Sequence, residues 1–505
     1  MAHPSPRTSA PSGLCRVACS PARRVVAGLG LLFAALTAFG SAATAASAGG
    51  TEPADTPLPI AVVRELQRVR IPAQALSAVV QEAGSGRTLL SLRASVPVNP
   101  ASLAKLFTTA AALDQLGPAW TWRTPVWLMG PVRDGMLDGS LHLKGSGDPK
   151  LVLEQLWLLL RRVQQLGVRE IRGDIVLDGS AFAAASGDPG DFDGETLRPY
   201  NVRPDALLLN YKSTIFTFVP DAAAGHARVL SEPPLAGTTV DAQVPLAAGA
   251  CGDWRARLEA SFADAARVRF AGSYPAACGE RSWPVADARP ATYNARLLAG
   301  LWREVGGRLG GTVREGPAPQ GVPPSFEHRS PPLLDVVRDI NKYSSNVMAQ
   351  QLFLTLALQQ EPSQPASEAG ARAALRSWVT SRLGDPGDEL VVDNGSGLAR
   401  EGRSSARLLA HLLQQADASP WAAEFASSLP ILGADGTLRN ARPGSGDAHL
   451  KTGSLKDVAG LAGYVRAESG RRYVLVAIVN HAQANAARPA LQALVQWTMR
   501  EAGAR

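Results

Sequence analysis

The sequence predicts an α+β fold in which an antiparallel sheet with helices forms the main domain, and two smaller β-rich domains are inserted into it. Three observations lead to this prediction. Helical patterns occur before about residue 119 and again after about residue 323, and three apolar strand patterns follow one another near the C-terminus. Between the two helical regions lies a long stretch of short strand patterns with Gly- and Pro-rich loops. That stretch spans roughly 200 residues, which is too long for a single loop.

The chain is expected to divide into four parts. The predicted limits are 1–48 for a signal peptide, 59–118 and 324–505 for the split main domain, 119–183 and 291–323 for inserted domain II, and 184–290 for inserted domain III, which is nested in domain II. A hydrophobic fraction of 46% and a charged fraction of 19% are ordinary for globular proteins, so disordered and collagen-like classes are excluded.

The first 48 residues have the pattern of an export signal. Arginines without acidic neighbours precede the apolar run Val25–Phe39, and Ala46-Ser47-Ala48 offers a small-residue cleavage site. The alternative is a membrane anchor, but the apolar run is shorter than the about 20 residues that span a bilayer. The mature protein is therefore expected to be exported and to have no stable membrane anchor.

Charge and cysteine usage narrow the function further. The net charge is +7, four of the basic residues lie in the predicted signal peptide, and the others form no basic runs, so nucleic acid is not an expected partner. Outside the signal peptide only Cys251 and Cys278 remain, and in an exported protein they predict one disulfide. The histidines show no metal-ligand spacing, so neither a metal site nor a cofactor is predicted.

The first part of the main domain shows a hairpin and a helix. Residues 60–69 have helical spacing but remain ambiguous, and Leu76–Gln81 and Arg87–Leu92 are short apolar runs joined by a Gly-Ser-Gly turn, which predicts a hairpin. The run Ser102–Leu116 predicts a helix that starts at a serine and ends before a Gly-Pro pair.

The later elements follow in chain order. The predicted inserted elements are strands at 121–129, 140–147 and 174–179 and helices at Leu151–Leu166 and Tyr293–Gly307. Further helices are predicted from Leu333 onward and at Asn346–Leu358, Glu368–Leu383 and Ser404–Ala416. Three antiparallel strands at 449–455, 458–468 and 471–482 and a closing helix at Arg488–Glu501 complete the predicted main domain.

Lysine is scarce, and its positions single out candidate catalytic residues. Seven lysines stand against 44 arginines, and three of them lie beside serines in SLAK (102–105), NKYSSN (341–346) and KTGS (451–454). A lysine can lose its proton near neutral pH when its pKa is lowered, whereas an arginine cannot. Ser102 and Lys105 share a helix face, so the amine can act as a base for the hydroxyl. Alone, one SxxK also fits an ordinary helix surface.

The other two motifs could complete a site. Ser344 offers a hydroxyl to relay a proton and Asn346 an amide to hold a substrate carbonyl, although this segment alone also fits a helix cap. The third motif is expected on an edge strand, where its glycine lets another backbone approach; alone it also fits a turn or a strand edge. It comprises Lys451, Thr452, Gly453 and Ser454. A nearby Lys451 would lower the pKa of Lys105.

In this order the three motifs resemble those of the penicillin-recognising serine enzymes. Longer segments make the chain similar to the D-alanyl-D-alanine carboxypeptidase/endopeptidase family, the class C low-molecular-mass penicillin-binding proteins. These segments are LKGSGDPKL, GDIVLDGSAF, SPPLLDVVRDINKYSSNVMAQQL, DNGSGLAR, LPILGADGTL and KTGSLKDVAGLAGYV. The resemblance covers nearly the whole mature chain. It implies a penicillin-binding-protein/serine β-lactamase-like transpeptidase domain, interrupted after the SxxK helix by two extra domains.

The resemblance also implies an activity. It implies a periplasmic serine peptidase that cleaves D-Ala-D-Ala ends or cross-links of peptidoglycan peptides through an acyl-enzyme, without a cofactor, and is acylated by β-lactam antibiotics. Ser102 would be the nucleophile, Lys105 its base and Ser344 the proton shuttle. Asn346 would hold the substrate amide, and Lys451 would shape the electric field.

The KTGS segment would bind the end of the substrate. Thr452 and Ser454, on either side of Gly453, would bind the terminal carboxylate, and the backbone amides of Ser102 and Ser454 would form the oxyanion hole. Ser345 departs from the aspartate of the broader motif set, and the resemblance implies that its side chain points away from the substrate.

Two charged residues and two rival functions remain open at this stage. The resemblance implies that Arg400 in GLAR and Glu195 match positions that meet the charged end of the peptide's diamino acid, but ordinary surface charge explains both residues equally well. A serine β-lactamase shares the motifs, although the inserted domains and the lack of a recognisable ExxxN segment argue against it. A catalytically silent cell-wall-binding protein is the other alternative, and the complete motifs argue against that.

Overall fold

The computed structural model describes residues 55–264, 266–442 and 447–500. The predicted signal peptide lies outside these residues. Within them, no helix combines the length and the apolar character needed to cross a membrane. The helices of the described residues are α1 (Ile60–Arg68), α2 (Lys105–Leu116), α3 (Leu153–Gln165), α4 (Trp254–Arg257), α5 (Pro290–Glu304), α6 (Leu333–Tyr343), α7 (Asn346–Gln360), α8 (Glu368–Leu383), α9 (Ala406–Asp417), α10 (Ala422–Ser428) and α11 (Arg488–Met499).

The strands form several sheets. In chain order they are β1 (Leu76–Glu82), β2 (Thr88–Leu92), β3 (Arg123–Met129), β4 (Val132–Arg133), β5 (Met136–Leu137), β6 (Ser140–Lys144), β7 (Glu170–Ile171), β8 (Ile175–Asp178), β9 (Ser213–Asp221), β10 (His226–Glu232), β11 (Thr239–Val240), β12 (Gln243–Ala247), β13 (Ala260–Asp264), β14 (Arg267–Phe270), β15 (Tyr274–Pro275), β16 (Arg281–Ala286), β17 (Arg308–Leu309), β18 (Val313–Glu315), β19 (Phe326–Arg329), β20 (Leu390–Val391), β21 (Arg403–Ser404), β22 (Asp447–Leu455), β23 (Val458–Arg466) and β24 (Arg472–Asn480).

The main sheet is antiparallel and has the order β2-β1-β24-β23-β22. Helices cover both of its faces. On β24, Val476 belongs to the core shared with α2 and with α6 to α10, whereas its neighbour Leu475 belongs to the core shared with α1 and α11. Because both faces are buried, this strand reads as a continuous apolar run rather than an alternating one. The KTGS strand β22 lies at the sheet edge, as predicted.

Most main-domain elements lie where the sequence predicts them. The hairpin, the three C-terminal strands and the closing helix are confirmed, and the ambiguous segment at 60–69 is helical. The start of the SxxK helix was predicted wrongly. Ser102 does not cap a helix: it lies in a 3₁₀ turn, Ala101–Ala104, and α2 begins at Lys105. The Ser102 hydroxyl instead lies beside the Lys105 amine.

The middle of the chain contains two separate hydrophobic cores. One packs α3 and α5 against the sheet β18-β8-β6-β3-β19, and the other fills the space around β9, β10 and β16. The predicted disulfide between Cys251 and Cys278 is confirmed and borders the second core. We retain the limits of inserted domains II and III as a proposal.

Candidate active site

Ser102 lies in a turn whose backbone is approached closely by two other segments, each at a glycine. A Cβ on Gly397, whose φ is +73°, would lie 1.9 Å from the carbonyl oxygen of Ala101, and a Cβ on Gly453 would lie 2.8 Å from that of Pro100. Ala101 itself has a positive φ of 47°. The side chain of Asn99 accepts a hydrogen bond from the Ala101 N–H at 2.8 Å. The chain is therefore held in a strained conformation next to the candidate nucleophile.

Lys105 is fully buried, and its Nζ contacts three oxygen atoms. These are Ser102 Oγ at 3.0 Å, Asn346 Oδ1 at 2.7 Å and the carbonyl oxygen of Ser396 at 2.5 Å. Burial lowers the pKa of Lys105 well below its ordinary value, and the charge of Lys451 lowers it further. Both effects favour the neutral form of this amine more than in an exposed lysine.

The three oxygen contacts fit a neutral amine. A neutral lysine has two N–H donors and one lone pair. A protonated Lys105 would donate to all three oxygens. In the neutral form its two N–H groups would go to the oxygens of Asn346 and Ser396, which can only accept, and its lone pair would be left for the hydroxyl of Ser102. Ser102 can then donate its O–H to Lys105. This arrangement matches a nucleophile and its base.

Ser344 and Asn346 lie at the junction of two helices. Ser344 ends α6 in the left-handed conformation, with φ 59° and ψ 36°, which few non-glycine residues adopt. Ser345 is the N-cap of α7, and its Oγ accepts a hydrogen bond from the Met348 N–H at 3.4 Å. Asn346 is the first residue of α7 and donates from Nδ2 to the Tyr200 carbonyl at 3.2 Å. The sharp junction directs Asn346 to Lys105 and Ser344 to Lys451. The site formed by these four residues and Ser102 is here called the groove.

Lys451 links the edge strand to this junction. Its fully buried Nζ donates to Ser344 Oγ at 2.8 Å and to the carbonyl oxygen of Thr452 at 2.7 Å. Burial lowers the pKa of Lys451 to about 7. The site therefore contains two amine–hydroxyl pairs, Lys105 with Ser102 and Lys451 with Ser344.

The two hydroxyls of the KTGS segment, those of Thr452 and Ser454, each have a polar partner. Thr452 Oγ1 donates to Thr437 Oγ1 at 2.9 Å. Ser454 Oγ donates to Asn485 Oδ1 at 3.1 Å and accepts a hydrogen bond from Arg488 Nη2 at 3.1 Å. Thr452 and Ser454 are two residues apart on β22, so their side chains share one face of the strand.

The segment 430–438, here called the 430–438 loop, contacts both α6 and β22. Asp435 Oδ2 accepts an ion-pair hydrogen bond from the buried Lys342 Nζ at 2.6 Å, and its Oδ1 accepts one from the Ile431 N–H at 2.7 Å. Burial raises the pKa of Asp435, but these hydrogen bonds outweigh that effect, so the pKa lies below its usual value. A Cβ on Gly436 would lie 2.5 Å from the Lys342 carbonyl oxygen. The 430–438 loop is thus attached to α6 at Lys342, two residues before Ser344.

The structure places Arg400 and Glu195 beside one surface segment rather than among the buried residues of the site. The guanidinium of Arg400 lies 4.9 Å from the centroid of the Phe192 ring and donates to the Phe192 carbonyl at 2.8 Å. Glu195 pairs with Arg198 at 3.1 Å. Both Arg400 and Glu195 are exposed. Two hydrogen bonds link these residues to the site: the Tyr200 carbonyl accepts from Asn346 Nδ2, and the Arg400 carbonyl accepts from Asn99 Nδ2 at 3.2 Å.

Sequence reasoning missed two contributors to the groove. The carbonyl of Ser396 contacts Lys105, and the guanidinium of Arg488 contacts Ser454. Ser396 lies in the segment DNGSGLAR, of which only Arg400 has a predicted role, and a backbone carbonyl leaves no side-chain signal. Arg488 lies in no motif.

These features define a class of protein. The split antiparallel sheet with helices on both faces is the penicillin-binding-protein/serine β-lactamase-like transpeptidase fold, and the structure matches the crystal structure of penicillin binding protein 4 (dacB) from Haemophilus influenzae. That match has a TM-score of 0.69 and 23% identity, and covers 88% of this chain and 99% of the other. A second structure of the same protein contains a β-lactam.

The family follows from the sequence match. The model of the D-Ala-D-Ala carboxypeptidase 3 (S13) family matches residues 60–501, so the chain belongs to this peptidase family. The chain is 28% identical over 444 residues to a D-alanyl-D-alanine carboxypeptidase of Actinomadura sp. (strain R39), covering 82% of this chain and 79% of the relative. It is 26% identical over 385 residues to D-alanyl-D-alanine carboxypeptidase DacB of Haemophilus influenzae, covering 75% and 80%.

Proposed function

We propose that this protein is a serine-type D-alanyl-D-alanine carboxypeptidase, with or without DD-endopeptidase activity, that acts on peptidoglycan stem peptides through an acyl-enzyme. One observation carries the proposal: the buried Lys105 amine lies 3.0 Å from Ser102 Oγ, while its two other partners, Asn346 Oδ1 and the Ser396 carbonyl, can only accept. A neutral amine in this position can take the hydroxyl proton as the serine attacks a carbonyl.

The reaction has two stages. In acylation, Ser102 Oγ bonds to the carbonyl carbon of the penultimate D-alanine and its proton moves to Lys105. The C–N bond then breaks, and Ser344 gives its proton to the departing amine while it regains one from the protonated Lys105. The amine leaves as D-alanine or as the amine of a cross-linked stem. In deacylation, water attacks the ester, giving the shortened peptide and restoring the serine hydroxyl. No cofactor or oxidant is needed to balance either stage.

The remaining site residues would stabilise the substrate. Asn346 would hold the substrate amide, and Lys451, with its pKa of about 7, would supply positive charge near Ser344 while protonated. Thr452 and Ser454 would bind the terminal carboxylate. The backbone N–H groups of Ser102 and Ser454 would form the oxyanion hole.

Three further parts of the proposal concern partners and location. The family membership supports peptidoglycan peptides as substrates and β-lactam antibiotics as acylating inhibitors. The arginine-rich, apolar N-terminus supports export to the periplasm. Arg400 and Glu195 would meet the charged end of the diamino acid at the groove's outer rim, next to the Tyr200 segment.

Purified muropeptides test this function. We expect the protein to remove D-alanine from monomers, to split cross-linked dimers, or to do both, as followed by mass spectrometry. Ser102→Ala should do neither, whereas Ser363→Ala, at an exposed loop position, should match wild type. Folded wild-type protein that leaves all muropeptides intact, or a Ser102→Ala variant with undiminished activity, would contradict the proposal.

A further inference from the structure

Arg488 lies beside the KTGS strand without a carboxylate partner. Its Nη2 donates to Ser454 Oγ at 3.1 Å and to Asn485 Oδ1 at 2.9 Å, and the residue is exposed. Among the residues that the structure describes, no aspartate or glutamate forms an ion pair with Arg488. The guanidinium therefore keeps its full charge and most of its five N–H donors for another partner.

Local structure does not explain a cation at this position. Arg488 is the first residue of the 12-residue helix α11. The N-terminus of a helix carries partial positive charge, so an arginine there is disfavoured relative to a neutral or acidic residue. A residue that breaks a local rule without a compensating ion pair is expected to have a functional reason.

The neighbours of Arg488 indicate what it would bind. The hydroxyl that it contacts belongs to Ser454, and the second hydroxyl on the same strand face belongs to Thr452. In the proposed function these two hydroxyls take the terminal carboxylate. A carboxylate at Ser454 would thus lie within reach of a guanidinium, whose planar N–H fork matches carboxylate geometry.

We propose that Arg488 is a specificity-determining residue that, together with Ser454, binds the free carboxylate next to the leaving amine of the peptide substrate. This inference rests on the proposed function. Arg488 takes no part in breaking the bond; it selects substrates that end in a carboxylate. Asn485 donates from Nδ2 to the Leu455 carbonyl at 2.8 Å. This hydrogen bond holds the segment just before α11, and with it Arg488, against the end of β22.

A matched pair of peptides tests the inference. The probes are diacetyl-L-Lys-D-Ala-D-Ala with a free C-terminal carboxylate and the same peptide as its C-terminal carboxamide. Wild type should prefer the acid. Arg488→Gln should lower kcat/KM for the acid at least about tenfold, mainly by raising KM, because a charge-assisted hydrogen bond is lost. The same variant should leave the carboxamide unchanged within about twofold, and Arg488→Lys should be intermediate.

The control is Arg68→Gln, which removes an exposed arginine paired with Glu65 on α1 and should change neither peptide. Equal losses on acid and carboxamide would show a purely structural role and overturn the inference, as would an Arg488→Gln variant that hydrolyses the acid as fast as wild type. Circular dichroism melting confirms that each variant is folded. Wild-type protein that hydrolyses neither peptide would overturn the proposed function itself, which is a distinguishable failure.

Discussion

The Nζ of Lys451 lies 2.8 Å from the Oγ of Ser344, so the edge strand β22 is tied to the junction between α6 and α7. A second such pair is formed by Lys105 and Ser102, whose Nζ and Oγ atoms lie 3.0 Å apart. Both amines are fully buried, and burial lowers the pKa of each. Their closeness further lowers the pKa of Lys105, because two cations in one groove repel each other.

The first prediction concerns pH. Acylation needs neutral Lys105, so its rate should fall at acid pH as that amine becomes protonated. Because the pKa of Lys105 lies well below its ordinary value, the rate should level off at a pH well below the about 10.4 at which an ordinary lysine titrates. Above pH 7 the rate should fall as Lys451, whose pKa is about 7, loses its charge. The measurement is the second-order rate constant for β-lactam acylation across pH.

The control for the pH profile is Lys456→Met, at an exposed position on the turn after β22, which should leave the profile unchanged. A base with the ordinary pKa of lysine would give a rate that rises about tenfold per pH unit from 7 to 10. That result would contradict the role assigned to Lys105.

The second prediction concerns Ser345, the residue that departs from the aspartate of the broader motif. Its Oγ caps α7 by accepting from the Met348 N–H, so Ser345→Ala should lower the free energy of unfolding by about 1 kcal/mol. Ser345→Asp should retain the cap, because aspartate is favoured at helix N-termini. Both variants should acylate at wild-type rates. Chemical denaturation together with β-lactam labelling tests this, and a large loss of labelling in the alanine variant would contradict it.

The third prediction concerns the ion pair that fastens the 430–438 loop. Asp435→Asn should leave the buried Lys342 ammonium without its charged partner, shift the end of α6 and slow acylation about tenfold through misplacement of Ser344. Asp205→Asn is the matched control, because Asp205 pairs with Lys212 at 2.5 Å away from the groove. Equal acylation rates in both variants, once corrected for folded protein, would show that the pair stabilises the fold only.

The fourth prediction concerns the close approach of Gly453 to the nucleophile turn. A Cβ in Gly453→Ala would lie 2.8 Å from the Pro100 carbonyl oxygen and 3.1 Å from Leu103 Cγ, so strand and turn must separate. We expect acylation of Ser102 to slow about tenfold or more, because small displacements of reacting groups are costly. Gly84→Ala is the control, since nothing lies within 4 Å of its Cβ. A Gly453→Ala variant as active as the control would contradict this account.

Local patterns were sufficient for part of the site. Ser102 and Lys105 are three residues apart, so helical spacing alone brings their side chains together. The hydrophobic runs likewise predicted the buried strands of the main sheet. By contrast, Lys451 meets Ser344 across 107 positions and the Ser396 carbonyl meets Lys105 across 291, and only the order of motifs hinted at the first of these.

Three other features of the site cannot be predicted from the periodicity of the sequence. The 3₁₀ turn under Ser102 arises because neighbouring loops clamp the Ala101 backbone in a positive-φ conformation, which overrides the helical pattern. The partner of Lys342 is Asp435, which lies in a segment noted for resemblance but without an assigned role. Arg488 is one of many arginines, and its contact with Ser454 depends on how α11 packs at the end of the sheet.

The most direct test of the central claim is to locate the acylated residue. The protein is incubated with benzylpenicillin, digested with a protease, and the peptides are sequenced by tandem mass spectrometry, with Ser102→Ala and Ser363→Ala treated in parallel. The account predicts one penicilloyl group, on Ser102, in wild type and in Ser363→Ala, and none in Ser102→Ala. Modification of another residue, or an undiminished adduct in folded Ser102→Ala, would contradict it.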